Sequence, residues 1–66
     1  MTPKYAHVTV RLVGEDGNAY FILGRVSKAL RDAGVTKAEI DTFIAEATAG
    51  DYDALLQAVM RWVDVT

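Results

Sequence analysis

The sequence predicts an α+β fold: a strand, three helices and a short C-terminal strand, with the helices packed on one face of a two-stranded sheet. Three observations carry this. Apolar residues alternate over residues 7–13 and again over 62–66. Between those stretches they recur at three- and four-residue steps in three separate runs. Glycines and short polar residues fall where one period gives way to the next. At 66 residues there is room for one domain, 1–66, without linker or internal repeat.

The first strand is expected at about 7–13. Val8, Val10 and Leu12 point one way; His7, Thr9 and Arg11 point the other. Gly14-Glu15-Asp16-Gly17 then breaks it. A helix at about 18–33 carries Ala19, Ile22, Leu23, Val26, Leu30 and Ala33 on one face. Asp16 or Asn18 is placed to cap it. Gly34 is placed to end it in the left-handed region, with Val35 folding back on Leu30 as in a Schellman motif. Thr36-Lys37-Ala38-Glu39 has the form of a capping box, so a second helix is expected at about 37–48, with Ile40, Phe43, Ile44 and Ala47 as its stripe. Gly50 stops it. Asp51 is an N-cap for a third helix at about 52–61 carrying Tyr52, Leu55, Leu56 and Val59, with Val63 as a further candidate for its stripe. Leu30 and Phe43 should occupy the centre of the core.

The last strand, about 62–66, is expected to pair with the first. No turn residue separates it from the third helix, which favours an antiparallel pair. Trp62 alternates away from Val63 and Val65. If those valines face the core, the indole lies on the other face, at a sheet edge or an interface.

Two blocks resemble a known family. Leu12-Val13-Gly14-Glu15-Asp16-Gly17-Asn18-Ala19-Tyr20-Phe21-Ile22-Leu23-Gly24 is similar to a block that opens small bacterial and bacteriophage proteins of unassigned function. Gly50-Asp51-Tyr52-Asp53-Ala54-Leu55-Leu56, followed by Arg61-Trp62-Val63-Asp64-Val65, is similar to the block that closes them. The resemblance spans about residues 8–65. It implies this fold and a bacterial, phage or mobile-element setting, and brings no catalytic residue, cofactor or ligand with it.

The composition excludes several chemistries. Without cysteine there is no disulfide scaffold and no thiolate zinc site. The single serine, Ser27, and the single histidine, His7, lie on different elements, so no nucleophile–base set is visible. Glu15-Asp16-Gly17-Asn18 lacks the ligand spacing of a calcium loop. The same turn has no phosphate-binding signature, and its two acids would repel an anion. No cofactor or metal is expected, and the chain is read as not an enzyme. No apolar run reaches the ~18–20 residues of a membrane span, and no signal peptide is visible, so a cytoplasmic location is expected.

Residues 29–40 have the outline of a helix-turn-helix. Charge opposes a DNA-binding role. The second helix carries Glu39, Asp41 and Glu46 against Lys37. Residues 34–66 hold a net charge of −4, while 1–33 hold +2, so the basic half is the wrong half.

One surface stands out. Arg25, Lys28 and Arg31 share a side of the first helix, near Tyr20, Phe21 and Gly24. An aromatic anchor with a basic rim suits a protein partner. Trp62 joins this set if its indole lies off the core face. The competing reading is internal: Tyr20 and Phe21 widen the core stripe, and Gly24 touches the third helix. The expected function is a non-catalytic protein-interaction module of phage, mobile-element or bacterial origin. The alternatives are a helix-turn-helix DNA-binding protein, and a small hydrolase or subunit of a larger enzyme. Two open sheet edges and opposite charge on the two halves also fit a homodimer. The partner is otherwise unspecified; nucleic acid and membrane are not expected partners.

Overall fold

The two ends of the described chain lie side by side as neighbouring strands, with three helices between them in sequence. The computed structural model describes residues 2–12 and 18–66. The elements are β1 (Tyr5–Val10), α1 (Ala19–Asp32), α2 (Lys37–Ala47), α3 (Tyr52–Trp62) and β2 (Val63–Val65). Val13 and the Gly14–Gly17 turn, with its Asp16 cap and its calcium and phosphate readings, lie outside the described residues.

Each described helix start has a side-chain cap. Asn18 Oδ1 accepts from the Tyr20 and Phe21 amides at 2.8 and 3.4 Å. Thr36 Oγ1 accepts from the Glu39 amide at 3.3 Å. Asp51 Oδ1 accepts from the Ala54 amide at 2.9 Å. These bonds satisfy donors that the first helical turn leaves unpaired. The α1 C-terminus is a Schellman motif. The Val35 amide donates to the Leu30 carbonyl and the Gly34 amide to that of Arg31, both at 3.0 Å. Gly34 has φ 87°, a conformation that side chains with a Cβ resist. Because α1 closes here, Ala33 is its exposed C-cap and not part of the buried stripe. At Gly50 a Cβ would stand 2.9 Å from the Ala54 Cβ, so the α2–α3 turn needs glycine for close approach.

The sheet is parallel, and this corrects the antiparallel expectation. Tyr5 pairs with Val63, Thr9 with Asp64 and Val10 with Val65. The reason lies at the α3–β2 junction. Val63 is the C-cap of α3 and already has extended backbone, φ −135° and ψ 164°. Val65 then lines a groove with Leu56, Val59 and Met60, so β2 runs back along the end of α3. The junction is itself a turn, although no turn residue marks it. A parallel pair needs a long crossover, and the three helices supply it.

β1 begins earlier than its alternation predicted, at Tyr5, and ends at Val10. Its register against β2 slips between Tyr5 and Thr9. This is an irregularity of the kind that bends a strand and redirects its side chains.

The core lies between the sheet and the three helices. Leu30 and Phe43 are fully buried at its centre, with Val26, Val59 and Val63. Val8 and Val10 close it from β1, and Leu12 packs half-buried beside them. Trp62 is only 4% exposed, which corrects its assignment to the outer face. It is the last residue of α3, so helical periodicity and not strand alternation places it. Trp62 and Val63 can then both face inward.

Candidate functional site

Polar chemistry gathers in two places on the described surface. The first surrounds Trp62. Tyr5 stacks on the indole at 5.9 Å between centroids, and Phe43 meets it edge-on at 5.6 Å. Lys4 Nζ lies 4.5 Å from the indole centroid, within cation–π range. The same ammonium lies 2.6 Å from Glu39 Oε1, which also accepts from the Tyr5 hydroxyl at 2.8 Å. Glu46 Oε1 accepts from Arg61 Nη2 at 2.7 Å and Nε at 3.1 Å.

These groups set each other's protonation. The Lys4 ammonium, then the Tyr5 hydroxyl, hold Glu39 below the ordinary glutamate range. Hydrogen bonding to Glu39 raises both Lys4 and Tyr5. Arg61 holds Glu46 below the ordinary glutamate range, against the opposing effect of partial burial. The cluster ties β1 to α2 and α2 to α3. Every ion in it is committed to a neighbour, so the arrangement is a clamp.

This clamp was not legible as such in the sequence. Glu39 stands at the distal position of a capping box, of which only the Thr36 half forms. Its carboxylate reaches instead to residues 34 and 35 positions earlier in the chain. The visible signals were the aromatic Tyr5 and the basic Lys4 just before the strand pattern, and the seven-residue spacing of Glu39 and Glu46 on one helix face.

The second place is the outer side of α1, where every residue of the sequence-derived surface except Trp62 is found. Tyr20 is 86% exposed. It lines an open groove of about 290 Å³ together with Leu23, Ala47, Tyr52 and Leu55. Phe21 is half-buried, and the Arg25 guanidinium lies over its ring at 5.4 Å. At Gly24 an added Cβ would meet nothing within 4 Å. The expected contact of Gly24 with the third helix is therefore absent. Lys28 and Arg31 are exposed. Lys28 Nζ pairs with Asp32 at 2.7 Å, one helical turn on, and lowers the Asp32 carboxyl, with a smaller effect from Arg31.

α1 and β1 enclose an open groove of about 330 Å³, with Arg11, Arg25, Lys28 and Asp32 among its walls and Thr9 and Val10 along its floor. The hydrogen-bond directions identify this as the free edge of β1. The Val10 carbonyl accepts from the Thr66 amide at 3.0 Å, and the Leu12 amide donates to the Thr66 carbonyl at 3.3 Å. In extended chain, alternate residues turn their amides and carbonyls to opposite edges. Thr9 and Arg11 therefore turn theirs away from β2. Arg25 Nε confirms the direction by donating to the Arg11 carbonyl at 3.1 Å.

Other candidates contribute less. His7 is exposed and makes an edge contact with Tyr5 at 6.2 Å. Ser27 is half-buried on α1. Among the described residues no group of three or more His, Asp or Glu side chains is arranged to hold a metal ion, and no helix is long and apolar enough to cross a membrane. No protein-family model, no curated protein and no solved structure matches the chain.

Proposed function

We infer that this chain is a non-catalytic protein-interaction module of the cytoplasm, from a bacterial, phage or mobile-element source, and that it engages its partner through the outer side of α1. The observation that carries this reading is the company Tyr20 keeps. A tyrosine 86% exposed stands on the same helix as Arg25, Lys28 and Arg31, beside an unfilled groove. Exposed aromatic and arginine side chains around a small cavity are the composition of interface hot spots. Gly24, with open space above it, leaves the middle of this helix low enough for another backbone to approach.

The charge layout supports a protein partner over DNA. In a helix-turn-helix docking α2 would enter the major groove. Its carboxylates Glu39, Asp41 and Glu46 are held in ion pairs with Lys4, Lys37 and Arg61. Those pairs also leave α2 a poor acidic mate for the basic side of a second copy.

The test is a paired capture from bacterial lysate, with the wild-type chain and with a Tyr20→Ala, Arg31→Glu variant, quantified against each other. A protein retained by the wild type and lost by the variant supports the reading. Prey sets that do not differ overturn it. Sub-micromolar, salt-sensitive retardation of duplex DNA would overturn it in favour of nucleic-acid binding.

A further inference from the structure

We propose that Trp62, Tyr5 and Glu39 form a recognition site for a primary alkylammonium, either a lysine side chain of a partner protein or a free amine, and that Lys4 fills this site as an internal occupant. Its residues come from β1, α2 and α3, so it goes beyond the α1 surface and is tested independently of it. Three contacts converge on one nitrogen. Lys4 Nζ lies 2.6 Å from Glu39 Oε1, 4.5 Å from the Trp62 ring centroid and 5.8 Å from that of Tyr5. A carboxylate beside aromatic faces binds organic cations, because the π faces attract the charge and the anion neutralises it.

The site is built by contacts that do not involve Lys4. Tyr5 stacks on the indole, Phe43 meets it edge-on, and the Tyr5 hydroxyl donates to Glu39 Oε1 at 2.8 Å. That bond holds the carboxylate beside the rings. Glu46, paired with Arg61, adds negative potential.

The occupant is loosely held. Lys4 precedes β1, and its side chain is 51% exposed. Its amide donates to the Arg61 carbonyl at 2.8 Å, so the side chain can swing out while the backbone stays in place. An ion pair this exposed contributes little, which leaves it open to exchange with an ammonium from outside. The 2.6 Å approach to Oε1 needs an N–H donor, so the site prefers a primary ammonium to a quaternary one.

The probe is n-butylammonium, and the chain's one tryptophan is the reporter. Lys4→Ala empties the site. Its fluorescence should then respond saturably, with a dissociation constant of about 1 mM. The wild type should bind about tenfold more weakly, because the tethered ammonium competes. Tetramethylammonium should bind more weakly than n-butylammonium, and n-butanol should not bind. Glu39→Gln placed on Lys4→Ala should abolish the response. Bound probe should also raise the thermal midpoint of Lys4→Ala toward the wild-type value. An acetyl-Gly-Lys-Gly-amide peptide separates the sources: binding tighter than that of n-butylammonium supports a protein lysine, and weaker binding supports a free amine.

Equal titrations of the wild type and Lys4→Ala overturn the proposal, because the probe then binds elsewhere. So does n-butanol matching n-butylammonium, undiminished binding after Glu39→Gln, or no response from folded Lys4→Ala. Should Lys4→Ala unfold, the wild type carries the test alone. High n-butylammonium, against equal sodium chloride, should shift the Trp62 indole N–H resonance, and an unchanged resonance overturns the site. None of these outcomes depends on prey captured through Tyr20 and Arg31, so the two readings fail separately.

Discussion

The Trp62 cluster and the outer side of α1 use similar residues to opposite ends. Each has aromatic rings, cations and carboxylates. Around Trp62 the ring is buried and the charges close on one another across elements, Lys4 on Glu39 and Glu46 on Arg61. On α1 the ring of Tyr20 stands in solvent, and Lys28 pairs with Asp32 within the helix. The first arrangement holds distant parts of the chain together. The second reaches the strand side through the Arg25 bond to the Arg11 carbonyl, and leaves the edge of β1 at Thr9 open beside it. Residue type alone does not separate a cluster that braces the fold from a surface that stays open; the span of the contacts does.

Truncation separates the two regions most sharply. Trp62→Ala removes a buried ring that meets Tyr5 and Phe43, and should cost about 3–5 kcal/mol, a large part of the stability of a domain this size. Tyr20→Ala should change stability by no more than about 0.5 kcal/mol. Urea unfolding of both variants checks this. A small loss at Trp62 would remove its role as the centre of the clamp.

The glycines give a smaller contrast of opposite sign. Gly34 sits at φ 87°, so Gly34→Ala should destabilise by about 1–2 kcal/mol. Gly24 is helical with open space around it, so Gly24→Ala should stabilise by about 1 kcal/mol. Thermal midpoints should move in opposite directions. Destabilisation by Gly24→Ala would mean that α1 packs against something at that point.

The acid limb of stability is the smallest effect and the most specific. Glu39 and Glu46 titrate below their unfolded values in the folded chain. Their ion pairs therefore contribute stability above the ordinary glutamate range, about pH 4.3, and the contribution disappears as pH falls through the depressed values. Lys4 and Tyr5 are raised, so their contribution is present below their unfolded values and is lost as pH rises through the folded ones. Glu39→Gln should flatten both limbs in urea midpoints measured against pH. Asp32→Asn, which removes only a pair within α1, should flatten the acid limb less. Equal effects of the two substitutions would contradict the distinction between clamp and open surface.

Much of this arrangement is legible in the sequence. The caps at Asn18, Thr36 and Asp51, the Gly34 closure and the core positions of Leu30 and Phe43 follow from spacings of five residues or fewer, or from one helix's own period. The basic side of α1 was legible for the same reason. The strand-like alternation at the C-terminus extends one residue into α3 and so puts Trp62 on the wrong face. Nothing local points to Lys4 and Tyr5, because their partner, Glu39, already has a local role in the Thr36 cap.

The sequence by itself determined three helices, their ends, the face each buries and the cationic side of α1. These depend on hydrogen bonds and side-chain directions that repeat within one or two turns, so neighbours in the chain suffice to specify them. The tertiary structure alone decided that β2 runs parallel to β1, that Glu39 closes on Lys4 and Tyr5, and that the open edge of β1 faces α1 and not α3. Each of these turns on where the chain goes after α3, and that bend is made by Val63, a residue with no turn signature. With helix giving way to strand after Trp62, both Trp62 and Val63 are buried, and that burial of apolar surface favours the bend.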